Sequence, residues 1–190
     1  MVKRIVIADD EPITRMDIKE MLQEEGYDVV AEAGDGFDAI EACRKSLPHL
    51  VIMDIKMPLL DGLNAAKKIT QENLADGVVL LTAYSDKDFI ERAKEAGVLG
   101  YLVKPLDHKA LIPTIEIALN KANEIKRIKK DFKSTKEKLE ARKVIEKAKG
   151  ILMNQKSITE EEAYITLRNL SMDKRVTMKE IAEIIVMSST

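Results

Sequence analysis

Hydrophobic and polar positions alternate between two periods along this chain, and each change of period marks an element. Short apolar runs at Arg4-Ile5-Val6-Ile7-Ala8, Tyr27 to Ala33, Leu50 to Met53, Val78 to Leu81 and Leu99 to Val103 have the length of strands covered on both faces. Between them apolar residues recur three and four apart. Pro12 to Glu25 carries Ile13, Met16, Ile18, Met21 and Leu22 and stops at Gly26; Phe37 to Ser46 follows a Gly34-Asp35-Gly36 turn. Gly62 to Glu72 and Asp86 to Ala96 read as two more helices, and Asp107 to about Asn120 closes the series. Five β/α repeats with short connections predict an α/β fold, a flavodoxin-like, doubly wound, five-stranded parallel sheet over residues 1–120.

The helical spacing does not stop there. Leu111, Ile115, Leu119 (with Ala118), Ala122, Ile125, Ile128, Phe132, Thr135, Leu139, Ala141, Ile145, Ala148 and Leu152 continue it, and no Pro or Gly lies between Thr114 and Lys149. One long helix is predicted, with residues 121–140 as a coiled-coil linker whose phase drifts near Leu139. A solvated linker helix on a monomer is the other reading of the same pattern. The segment 141–190 reads as a small all-α domain of three helices. The first is the end of the long helix, stopping near Asn154. The second opens on Thr159-Glu160-Glu161-Glu162, a capping box, and runs to Leu170; the third is capped by Thr177, with Glu180 three residues on, and runs to about Met187. So small a core calls for packing on the long helix or on a second chain.

The strand before Asp54 delivers that carboxylate to the carboxyl end of a parallel sheet, where ligands bind in such folds. The first strand is followed at once by Asp9-Asp10-Glu11. If the two strands are neighbours, at least three carboxylates converge, and their repulsion calls for a cation. Oxygen-only ligands suit a hard ion such as Mg²⁺, which keeps positions for water and phosphate oxygens. Thr82 ends the fourth strand with a hydroxyl, and Lys104 ends the fifth with an ammonium. Together these groups have what an acyl phosphate on Asp54 would need around its oxygens.

Asp9-Asp10, Asp54, Met57-Pro58-Leu59-Leu60-Asp61-Gly62, Thr82-Ala83 and Lys104-Pro105, in this order and spacing, resemble a response-regulator receiver domain. The resemblance implies that Asp54 is the phosphoacceptor, Asp10 a direct Mg²⁺ ligand and Asp9 a ligand through water, with Lys56 lending its backbone carbonyl. It further implies that Thr82 and Lys104 grip the phosphoryl group, that Tyr101 is an aromatic switch, and that Lys104-Pro105 is a cis peptide.

Charge is uneven along the chain. Residues 1–120 hold 14 Lys and Arg against 22 Asp and Glu, a balance of −8, whereas residues 121–190 hold 17 against 11, or +6. An anionic partner for the tail fits this split; a solvated charged helix fits it too. A single Cys43 excludes an internal disulfide and a cysteine-built zinc site, and His49 and His108 have no partner at metal-ligand spacing. No apolar run approaches the roughly 20 residues of a membrane span, and no leader pattern follows Lys3-Arg4, so a cytoplasmic protein without membrane contact is expected.

Arg142-Lys143-Val144-Ile145-Glu146-Lys147-Ala148-Lys149-Gly150-Ile151-Leu152-Met153, then Glu162-Ala163-Tyr164-Ile165-Thr166-Leu167-Arg168, then Val176 to Ala182, resemble the ANTAR domain, a family of small RNA-binding modules. That implies binding of RNA with two hairpins and prevention of transcription termination, under a sensor histidine kinase as phosphodonor. The combination is similar to regulators of ethanolamine-utilisation operons, and a homodimer is expected when phosphorylated. Arg142, Lys149, Arg168, Lys174, Arg175 and Lys179 supply charge for phosphates, and arginine planes can stack on splayed bases. Gly150, inside a helical run, suggests either a close backbone approach or a kink.

Three rival functions compete with this reading, one of them a mere dimerisation module. A DNA-binding response regulator is the alternative, because Thr177 to Ile185 resembles the opening helix of a helix-turn-helix; it lacks a following recognition helix before Thr190. An enzyme is disfavoured, since the tail shows no nucleophile–base pair, metal-ligand set or Gly-rich phosphate loop.

Overall fold

The computed structural model describes residues 2–83 and 87–188, without the side chains of residues 87–90. The chain divides into two compact units, residues 1–127 and 128–190.

In the first unit β1 (Arg4–Ala8), α1 (Pro12–Glu24), β2 (Asp28–Ala33), α2 (Gly36–Ser46), β3 (Leu50–Asp54), α3 (Gly62–Gln71), β4 (Val78–Thr82), α4 (Lys87–Glu95) and β5 (Gly100–Val103) alternate. All strands run parallel in the order β2-β1-β3-β4-β5, the expected doubly wound sheet. The start expected for α4 at Asp86 lies outside the described residues.

Successive strand residues face opposite sides, so β1, β3 and β4 each feed two cores. Val6, Val51, Met53, Val78 and Leu80 pack with Ile40 and Cys43 of α2 and Leu63, Ala66 and Ile69 of α3. Ile5, Ile7, Leu50, Ile52, Val79 and Leu81 pack on the other side with Ile18 and Leu22 of α1. Helix starts follow local chemistry. Pro12 opens α1, Asp35 accepts hydrogen bonds from the Phe37 and Asp38 amides at α2, and Asp61 accepts one from the Asn64 amide at α3.

Helix α5 (His108–Lys156) is one element of 49 residues that serves both units. Its opening is capped by Asp107, whose carboxylate accepts from the Ala110 amide at 2.9 Å. Leu111, Ile115, Ala118 and Leu119 lie in the second receiver-side core, and Ala122 is buried as well. Leu111, Ile115, Ala118 and Leu119 thus cover the sheet rather than extend an open apolar seam. Beyond that core Ile128, Phe132 and Leu139 form an exposed apolar stripe.

The second unit joins the last turns of α5 to α6 (Glu160–Lys174) and α7 (Met178–Met187). Both shorter helices open on complete capping boxes, Thr159 with Glu162 and Thr177 with Glu180. Helix α6 runs four residues past the expected end at Leu170 and stops at Arg175, held in the left-handed region (φ 56°). Ala148, Leu152, Ala163, Leu167, Ile181 and Ala182 form the core.

Candidate functional site

The register of the sheet assembles the first site. Ala8 pairs with Met53, so Asp9 and Asp54 emerge side by side at the carboxyl ends of β1 and β3. Asp54 pairs with Leu81 of β4, and Thr82 pairs with Val103 of β5, which brings Thr82 and Lys104 to the same edge. Asp9 is fully buried, Asp54 and Thr82 are nearly so, and Asp10 is exposed. One carboxylate oxygen from each of Asp9, Asp10 and Asp54 lies within 4.8 Å of the others. Lys56 is exposed on the loop after β3, and Tyr101 stands on β5 with more than a third of its surface open.

Lys104 bridges the two buried acids. Its Nζ lies 2.7 Å from Asp9 Oδ2 and 3.2 Å from Asp54 Oδ1. Burial pushes the Asp54 carboxyl above the ordinary carboxylate value; Lys104 pulls it back and the neighbouring Asp9 adds to the rise. Burial alone would lower the Lys104 ammonium, but its hydrogen bond to Asp9 and the charges of Asp54 and Asp9 raise it. The Lys104 amide donates to the Thr82 carbonyl at 2.8 Å, and Lys104-Pro105 is cis as the resemblance implied.

Two supports escaped the sequence. Arg15 Nη1 donates to the Asp9 carbonyl at 2.5 Å, and the Glu11 amide donates to Asp9 Oδ1 at 2.9 Å, so the acidic turn is held from both sides. The only sequence signal for Arg15 is its place one turn into α1. Gly62 packs so tightly beneath the end of β3 that a Cβ there would sit 2.0 Å from the Asp54 carbonyl oxygen.

In the second unit Arg142, Arg168, Lys174 and Arg175 are exposed, and among the described residues none of them is held in an ion pair. Lys179 is half-buried, 3.6 Å from Glu183. Lys149 departs from the expected basic surface. Its side chain is only 9% exposed, with Nζ 2.6 Å from Glu160 Oε1 and 2.9 Å from Glu146 Oε2. Gly150 meets no close neighbour: a Cβ there would find nothing within 4 Å.

Residues 5–116 match the response regulator receiver domain, and residues 133–186 match the ANTAR domain. The chain belongs to the response regulators. It is 45% identical over 184 residues to the transcriptional regulatory protein PdtaR of Mycobacterium tuberculosis (strain CDC 1551 / Oshkosh), covering 97% of this chain and 89% of that one. It is also 37% identical over 120 residues to the chemotaxis protein CheY of Bacillus subtilis (strain 168), covering 63% of this chain and all of CheY. Among solved structures, a two-component response regulator of the LuxR family from Aurantimonas sp. SI85-9A1 matches at 34% identity and a TM-score of 0.59. That match covers 63% of this chain and 86% of the other. The receiver domain of the NarL response regulator from M. tuberculosis matches at 27% identity and a TM-score of 0.58, over 64% and 97% of the two chains.

The receiver's acidic pocket, Asp9, Asp10 and Asp54, is of the kind in which such domains bind Mg²⁺. Its donors are oxygens alone, which suits that hard ion. Among the described residues no helix is long and apolar enough to cross a membrane.

Proposed function

We propose that this response regulator accepts a phosphoryl group on Asp54 from a sensor histidine kinase. Once phosphorylated, it dimerises and binds paired RNA hairpins in nascent transcripts, preventing termination. In this reading residues 1–120 are the control domain, 121–140 the coiled-coil linker and 141–190 the RNA-binding domain. The observation that carries it is the meeting of Asp9, Asp10, Asp54 and Lys104 at one sheet edge, in a chain that also carries an ANTAR domain.

In the transfer, a carboxylate oxygen of Asp54 attacks phosphorus, the bond to the donor's imidazole nitrogen breaks, and imidazole leaves. Asp9, Asp10, Asp54 and the Lys56 carbonyl would hold Mg²⁺, which when bound neutralises charge on the phosphoryl oxygens. Thr82 and Lys104 contact those oxygens. Lys104, which bridges Asp9 and Asp54, then exchanges part of those charge-assisted contacts for contacts to the phosphoryl group. Tyr101, on the adjacent strand β5, follows that rearrangement as the switch.

The exposed stripe Ile128, Phe132 and Leu139 supports a two-stranded coiled coil. Arg142, Arg168, Lys174, Arg175 and Lys179 carry the charge for RNA phosphates, with Gly150 open to close approach. One compact domain neutralises few phosphates and binds weakly. Two domains on two hairpins of one transcript gain about 10² to 10⁴ in avidity without new contacts.

The test is a small phosphodonor with Mg²⁺ followed by titration of one-hairpin and two-hairpin RNA. Mass spectrometry should find one added phosphoryl group in wild type and none in Asp54→Ala, and phosphorylated protein should prefer the two-hairpin RNA. Undiminished labelling of the alanine variant sinks the acceptor assignment; equal affinity for the two RNAs removes avidity.

A further inference from the structure

Lys149 is the one buried residue among the basic residues singled out in the ANTAR domain. Arg142, Arg168, Lys174 and Arg175 stand in solvent. Lys149 instead lies next to Ala148 and three residues before Leu152, both buried against Ala163 and Leu167 of α6. Its ammonium reaches across to Glu160, the first residue of α6, and back along its own helix to Glu146. Two carboxylates at 2.6 and 2.9 Å compete with a phosphate for this ammonium. The shallow cleft beside it is lined by Glu160, Glu161 and Tyr164, so an approaching phosphate meets mainly acids.

The connection between α5 and α6 is short and packs Ile158 on the domain core. It is only Ser157, Ile158 and Thr159, with Ser157 in the left-handed region (φ 52°). A side-chain hydrogen bond from Lys149 to Glu160 spans it. The opposite charge also raises the Lys149 pKa and lowers that of Glu160, chiefly through that same hydrogen bond.

We infer that Lys149 is a positioning residue: its ion pair with Glu160 fixes the first turn of α6 on α5, and so the placement of Arg168 relative to Arg142, without itself touching nucleic acid. This rests on the RNA-binding reading for its functional consequence, though not for the pair itself.

The sign of one substitution separates the two roles. If Lys149 bound phosphate, Glu160→Gln would free it and remove a repelling charge, and RNA binding would tighten. With Lys149 as a positioning residue, Glu160→Gln and Lys149→Met each weaken binding of two-hairpin RNA by the phosphorylated full chain about fivefold, the loss of one partly exposed ion pair. Lys149→Met leaves the slope of log affinity against log salt unchanged, whereas Arg168→Ala lowers it by about one. The exchanged pair Lys149→Glu with Glu160→Lys recovers binding, and Lys149→Arg keeps it if Lys149→Met fails to fold. Tighter or unchanged binding by Glu160→Gln overturns the inference, as does a reduced salt slope in Lys149→Met. If wild type binds no RNA, the functional reading falls on its own, and amide hydrogen exchange decides about the pair. Faster exchange in the first turn of α6 in Glu160→Gln supports it; exchange equal to wild type overturns it.

Discussion

Gly62 offers a direct way to disturb the acceptor strand from below. The Cβ added by Gly62→Ala would lie 2.0 Å from the Asp54 carbonyl oxygen, 2.9 Å from the Asp54 carbonyl carbon and 3.1 Å from Ile55 Cα. Side-chain contacts yield by rotating, but these are backbone atoms. They are tied in place, since the Gly62 amide donates to the Ile55 carbonyl at 2.8 Å and Asp54 is paired with Leu81 of β4. Relief needs a shift of about 1 Å in either α3 or the end of β3, and overpacking of this kind costs about 3 kcal/mol. In a domain of this size that is a fall of about 10 °C in melting temperature. Because the atom struck belongs to Asp54, phosphorylation by a small phosphodonor should slow at least about tenfold at temperatures where the variant is folded, as a misplacement of about 1 Å does in other sites. Calorimetry of the full chain and phosphoprotein mass spectrometry measure the two effects. A receiver transition within about 2 °C of wild type, together with an unchanged labelling rate, would refute the packing argument.

Other consequences follow from the same geometry. Gly150→Ala places a methyl in open space within a helix and should stabilise the ANTAR domain by up to about 1 kcal/mol, seen as a higher denaturant midpoint; a lower midpoint would show a neighbour that the fold does not contain. Leu119→Ala should cost about 2–5 kcal/mol because Leu119 lies in the receiver core, whereas Phe132→Asp and Leu139→Asp should leave receiver melting unchanged and shift the mass of the phosphorylated form towards monomer in light scattering. Folding raises the Asp54 pKa, so the folded protein holds that proton more tightly than the unfolded chain, and this group's contribution to stability is lost as pH rises through the folded value. In carboxyl NMR of metal-free protein, Asp54 should therefore titrate above the ordinary value of 3.8, Lys104→Met should move its midpoint higher, and Asp9→Asn should move it lower; a midpoint that ignores both variants contradicts the assigned causes.

The receiver half was legible because its information is local. An apolar run ending in an acid reads the same whether the neighbouring strand is known or not, and the strand order then brings Asp9, Asp54, Thr82 and Lys104 together. What the chain did not disclose depends on contacts distant in sequence or on ambiguous periods. Leu119 fits a three-four spacing equally well as core or as seam, and only the demand of Val79 and Leu81 for cover decides it. Lys149 looks like any basic residue until Glu160, eleven residues away, is folded against it. The end of α6 was placed too early because no Gly or Pro marks it; Arg175 takes up the left-handed turn usually left to Gly. Arg15 reaches a backbone carbonyl, a partner that sequence patterns do not encode.

The split of α5 between two cores also orders events on the ribosome. The last residues the receiver needs are Leu111, Ile115, Ala118, Leu119 and Ala122, with Lys126 closing an ion pair to Asp76 at 2.8 Å. The residues that build the ANTAR core, from Val144 onward, are synthesised later. Domains fold as units with the N-terminal one first during translation. The receiver half of this regulator can therefore complete its core while the residues of the ANTAR core are still being added.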